Sequence, residues 1–111
     1  MKMVIAFVQP FMAPEVVLAL HQVPGLTGAT FTDVKGFGRG RSTDSPTAEV
    51  LYGAADKVRI EVVVHEELSD VVVRAIRQAA HTGNRGDGKI YVLSVDRAVR
   101  IATADEGDEA V

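Results

Sequence analysis

The order of hydrophobic patterns constrains this chain more than any motif does. A β-rich run at residues 2–9 stops at Pro10, which cannot donate to a strand ladder. Behind Pro14, Val16, Val17, Leu20 and Val23 recur at helical spacing, and Pro24-Gly25 ends that helix. Residues 27–35 read as a second strand in which Ala29, Phe31 and Val34 break strict alternation, as a bulge does. Val58, Ile60, Val62 and Val64 alternate along a third strand, with Val63 on its other face. Residues 67–81 form a second amphipathic helix, with Leu68, Val71, Val72, Ala75, Ile76 and Ala79 inward and Gly83 as its stop. Residues 89–95 are a fourth strand, and 97–103 a short strand or turn.

Two βαβ halves of one plan joined by a long loop predict an α+β fold. The simplest form is a ferredoxin-like βαββαβ sandwich with both helices on one face of an antiparallel sheet. The far face is then uncovered, and apolar groups such as Val63 and Leu93 meet water. Such a face marks an interface, so a closed homo-oligomer is expected.

At 111 residues the chain is one domain, 1–111. The net charge of −3 argues against a nucleic-acid binder. Absence of cysteine excludes disulfides and thiolate metal sites. No apolar run approaches the ~20 residues that span a bilayer. The N-terminal run meets Gln9-Pro10 too early for a signal peptide, so a cytoplasmic location is expected. Asp105, Glu106, Asp108 and Glu109 make 104–111 an acidic tail, expected to be solvated and frayed.

Residues 82–89, Thr-Gly-Asn-Arg-Gly-Asp-Gly-Lys, carry three glycines, one acid and two cations. Glycines admit close backbone approach and turn N–H groups toward an anion, while Arg85 and Lys89 add charge for phosphate oxygens. Asp-Gly alone is an ordinary turn pair. Lys89 and a second basic glycine cluster, Gly36-Phe37-Gly38-Arg39-Gly40-Arg41, favour one composite anion site. A Walker loop is excluded, because Ile90 follows the lysine where Ser or Thr binds Mg²⁺. Arg100 sits in an apolar run and needs a partner, for which a phosphate or a carboxylate serves, the phosphate being favoured. His21, His65 and His81 lack metal-ligand spacing, so no metal site is expected. No nucleophile–base pair and no Gly-x-Ser-x-Gly turn is visible, so no enzyme is expected.

Residues 40–56 fit neither half. Their loop composition has no apolar periodicity, and ordering it costs roughly 1–2 kcal/mol per residue in backbone entropy. A ligand or partner has to supply that contact energy, which is the profile of a switch segment.

These residues resemble the PII signal-transduction superfamily of trimeric nucleotide sensors. The likeness runs through Gln9-Pro10-Phe11, Val34-Lys35-Gly36-Phe37-Gly38-Arg39 and residues 57–64. Most specific is Thr82-Gly83-Asn84-Arg85-Gly86-Asp87-Gly88-Lys89-Ile90-Tyr91-Val92, followed by Val99-Arg100-Ile101. The resemblance implies a homotrimer with adenine nucleotide in clefts between subunits. ATP and ADP compete there, with AMP a third candidate. It implies Gly36, Gly38 and Arg39 along the phosphates, and Gly86, Asp87, Gly88 and Lys89 as the phosphate-binding turn. Thr30, Glu61, Val63 and Val64 are implied around adenine and ribose, and Arg100 from the neighbouring subunit. Segment 40–56 matches the family's T-loop, with Arg41, Ser42, Thr43, Glu49 and Tyr52 facing a regulated transporter, enzyme or transcription factor.

Departures from the family pattern are specific. Gly40 replaces a glutamine that helps hold Mg²⁺ and 2-oxoglutarate, which puts both in question. Ala102 replaces a second arginine and removes one phosphate contact, favouring ADP or AMP over ATP. Tyr52-Gly53-Ala54 only faintly echoes the family's modified tyrosine, so uridylylation is not expected. Gln9 to Met12, the Val23-Pro24-Gly25 insertion and Gly38 to Arg41 resemble a divergent branch of PII-like proteins linked to cation efflux or other transport. The alternative is a CutA-like structural or metal-tolerance trimer, which keeps the sheet and binds no nucleotide.

Overall fold

The computed structural model describes residues 1–36 and 55–111. The candidate residues Gly38, Arg39, Arg41, Ser42, Thr43, Glu49 and Tyr52 lie outside the described residues, as does the T-loop assignment up to residue 54.

Four strands form one antiparallel sheet: β1 (Lys2–Val8), β2 (Thr30–Lys35), β3 (Asp56–Val64) and β4 (Gly88–Ser94), in the order β2-β3-β1-β4. Helices α1 (Ala13–His21) and α2 (Ser69–Ala80) follow β1 and β3. This is the expected ferredoxin-like βαββαβ arrangement. Both helices are entered through short 3-10 turns, Pro10–Met12 and Glu66–Leu68. Pro10 suits the first of these, where its missing N–H has no partner to lose.

Alternation along the two central strands explains the core. Val4, Ala6 and Val8 of β1 and Val58, Ile60, Val62 and Val64 of β3 point to one face and are buried. Against them pack Val16 and Leu20 of α1 and Val72, Ile76 and Ala80 of α2. Val71 is a correction: it is 39% exposed rather than inward. The stripe of α2 runs through 69, 72, 76 and 80, and Val71 lies a quarter turn off it.

Element ends differ from expectation by a few residues. Helix α1 stops at His21, and Val23 is buried from the turn that follows. Strand β2 begins at Thr30, because Leu26 and Ala29 pack on the core from the connection instead. In the acidic C-terminal segment, residues Gly107–Ala110 form a 3-10 turn, and a Val99–Glu106 bridge closes a hairpin before it. Arg97 pairs with Glu106 at 2.7 Å.

Among the described residues, the opposite sheet face carries no helix. Met3, Ile5 and Phe7 share it with Val63, Tyr91 and Leu93, by the strand register. Tyr91 and Leu93 are 49% and 45% exposed. Phe7 meets Tyr91 edge-on at 6.4 Å, and the Arg59 guanidinium lies 5.7 Å from the Phe7 ring centre.

Ile60 is wholly buried in the central strand. Ile60→Ala is expected to lower unfolding free energy by about 2–5 kcal/mol in denaturant titration. A loss below about 0.5 kcal/mol would contradict this packing.

Candidate functional site

The sheet register gathers one end of every strand. Val8 ends β1 opposite both Val58, near the start of β3, and Gly88, the first residue of β4. Lys35 ends β2 opposite Asp56, and their side chains pair at 2.6 Å. The Gly36 N–H then donates to the Ala55 carbonyl at 2.9 Å. The long segment 37–54 therefore leaves and rejoins the sheet at the end where the 82–88 turn sits. Both glycine clusters start from this end, as a composite site requires.

Backbone approach dictates the turn. Gly88 has φ +111°, and a Cβ there would overlap the Phe7 carbonyl oxygen. No other residue fits without moving β4 off β1. Gly86, at φ +85°, presents its carbonyl to two donors: Gln9 Nε2 at 2.6 Å and Lys57 Nζ at 2.8 Å. In a trans peptide the N–H opposes the C=O. With the Gly86 carbonyl held toward Gln9 and Lys57, the Asp87 N–H points away from them.

Asp87 faces into the turn. Its carboxylate accepts from the Thr82 N–H at 2.8 Å, the Gly83 N–H at 3.3 Å and the Thr82 hydroxyl. The Thr82 Oγ1 accepts in turn from the Asn84 N–H at 3.0 Å. His81 Nδ1 lies 3.5 Å from the same carboxylate. These donors, the Thr82 hydroxyl foremost, hold the Asp87 carboxyl below its ordinary 3.8. Lys89 and Arg85 are exposed at either side.

Within one chain the predicted site residues fall into two groups. Gly86, Asp87, Gly88 and Lys89 sit together at the end just described, and Gly36 lies at the same end on β2, about 14 Å across β3 and β1. Thr30 and Glu61 are cross-strand partners on the open face, about 13 Å along β3 from Lys57. Glu61 pairs there with Arg59 at 2.7 Å. Val63 lies further along the same face, whereas the Val64 side chain is buried in the core. Arg100 is exposed on the C-terminal hairpin, beyond the far end of β4. Its backbone N–H donates to the Asp105 carbonyl at 2.8 Å, and its carbonyl accepts from Ala104.

Sequence reasoning gave no role to Gln9, Lys57 or Thr82. A glutamine before a strand-ending proline and a lysine opening a β-branched run were the available signals, but only register places both on the Gly86 carbonyl.

The lowered carboxyl sets a sign for pH. Stability from the Asp87 clasp is full above about pH 3.8 and is lost as pH falls through the lower folded value. The melting-temperature gap between wild type and Asp87→Asn is expected to be widest near neutrality and to close as pH falls from neutrality to below 3.8. A constant gap across that range would refute the clasp.

With this geometry in hand, similarity to known proteins is specific. A family model described as Nitrogen regulatory protein P-II matches residues 1–105. The chain is 45% identical over 113 aligned positions to nitrogen regulatory protein P-II of Azospirillum brasilense, covering all of both chains. It is 43% identical, again over the whole of both, to nitrogen regulatory protein P-II 1 of Escherichia coli strain K12. Among solved structures it is similar to Arabidopsis thaliana PII bound to citrate, with TM-score 0.81 and 34% identity. That match covers 99% of this chain and 91% of the plant chain. The CutA-like alternative is not favoured by these similarities. A ferredoxin-like sheet and full-length identity of this order agree: the chain belongs to the nitrogen regulatory protein P-II family.

Proposed function

We propose that this protein is a signalling regulator rather than an enzyme, and that it binds adenine nucleotide between the subunits of a homotrimer. The observation that carries the reading is the Gly86–Lys89 turn, built by backbone contact at the sheet end where Gly36 opens the long segment. Gly86, Gly88 and Lys89 take the phosphates, with Gly36 at the same end of the sheet. Thr30, Glu61 and Val63 lie along the sheet away from the turn. A neighbouring subunit brings its own copies of them, and its Arg100, to the other side of the nucleotide. The uncovered face with Met3, Ile5, Tyr91 and Leu93 supplies apolar area for that assembly.

Signalling follows from the loop base. The Gly36–Ala55 hydrogen bond and the Lys35–Asp56 pair fix where segment 40–56 starts and ends, next to the turn. A nucleotide shifts the loop only through affinity that differs between loop states, and phosphate number is the natural difference. Gly38, Arg39 and the T-loop residues Arg41, Ser42, Thr43, Glu49 and Tyr52 carry that signal to a protein target such as a transporter in the cell interior. Gly40 and Ala102 weaken the case for Mg²⁺ and for ATP over ADP or AMP.

Calorimetry with ATP, ADP and AMP, beside light scattering for mass, tests the reading. Heat with at least one adenylate and a trimeric mass are expected. Lys89→Ala is expected to weaken binding at least tenfold, about 1.4 kcal/mol, with the trimer intact. No heat with any adenylate, or a monomeric mass, would remove the proposal.

A further inference from the structure

We propose that the Asp87 side chain is a positioning group for the phosphate turn, acting through Thr82 and Gly83, and that its carboxylate makes no contact with the nucleotide. The inference rests on the functional reading above and revises one role within it.

The carboxylate is already occupied. One oxygen accepts the Thr82 and Gly83 N–H groups, and the other accepts the Thr82 hydroxyl. Thr82 is occupied too, since its hydroxyl donates to Asp87 while accepting from Asn84. The clasp thus closes the loop from 82 to 87 on itself. Gln9 and Lys57 hold the next link, the Gly86 carbonyl. The peptide joining 86 to 87 is therefore fixed from both sides, its carbonyl by Gln9 and Lys57 and its side chain by Thr82. The Asp87 N–H is turned away from Gln9 and Lys57, next to Lys89 at the start of β4.

Charge explains why an acid is tolerated here. A solvated carboxylate beside a polyphosphate is repulsive. Internal donors to the carboxylate offset its charge locally. Arg77 and Lys89 line the same cavity of about 320 Å³ against which Asp87 sits. The clasp converts an acid that opposes the ligand into the strut that shapes its cradle.

The two roles predict opposite signs, and ADP calorimetry on the full-length trimer separates them. If Asp87 faced the phosphates, Asp87→Asn would remove repulsion and leave ADP binding equal or tighter. The clasp predicts at least tenfold weaker ADP binding for Asp87→Asn and for Thr82→Val. Thr82→Ser, which keeps the hydroxyl, is expected to stay within threefold of wild type. The double variant is expected to be no weaker than the worse single one, because both break one device. Adenosine, which has no phosphate, is expected to compete equally well with wild type and variants, a result that general destabilisation would not give. Equal or tighter ADP binding by Asp87→Asn, or loss with Thr82→Ser, overturns the inference while leaving nucleotide sensing standing. Wild type that binds no adenylate overturns both.

Discussion

The approach of Gly88 to the β1 backbone at Phe7 decides where everything else in the site sits. A side chain at residue 88 would occupy the space of the Phe7 carbonyl oxygen, so β4 can pair along β1 only with glycine there. That pairing fixes the end of the 82–88 turn to within a hydrogen bond of Gln9 and Lys57. Because β1 also pairs with β3, the same contact aligns the turn with Asp56 and, through β2, with Gly36. A local steric demand therefore becomes a global one. The glycine turn and both ends of the long segment are held at one edge of the sheet.

The electrostatics of that edge are arranged rather than merely basic. Lys57 is committed to a carbonyl and Asp87 to its own loop, while Lys35 pairs with Asp56. Lys89 and Arg85 are left exposed. A chain of net charge −3 thus presents a small cationic, N–H-rich turn without a broad basic surface. The exposed pairs themselves contribute little to stability, since solvent screens them. Their value is positional: Lys35–Asp56 joins the ends of β2 and β3 on either side of the long segment.

Much of the architecture was legible because period decides it. Valines at 58, 62 and 64 with Ile60 leave no other reading than a half-buried strand, and the second helix announces itself by 72, 76 and their neighbours. Val71 was misplaced because a broad apolar helix pattern does not fix the centre of its buried stripe; only packing on β1 and β3 does. The turn in the tail was not legible for another reason. Its acids are exposed, as solvated charges are, yet Glu106 pairs with Arg97 and bridges to Val99, and no periodicity encodes either. The site was half legible. Gly86, Gly88 and Lys89 stand in one motif and meet in space. Thr30, Glu61, Val63 and Arg100 followed from family resemblance alone, and in a single chain they lie apart from the turn. Gln9, Lys57 and Thr82 were given no role in the site because theirs arise from register and from local hydrogen bonds, which residue type does not reveal.

Backbone amide NMR during titration with ADP tests the central claim most directly, since the claim concerns N–H groups at one edge of the sheet. The account predicts that the largest shifts fall on Asp87, Gly88, Lys89 and Gly36, with a second set at Thr30, Glu61 and Arg100 from the adjoining subunit. Shifts confined to other parts of the chain, or none at saturating ADP, would contradict it.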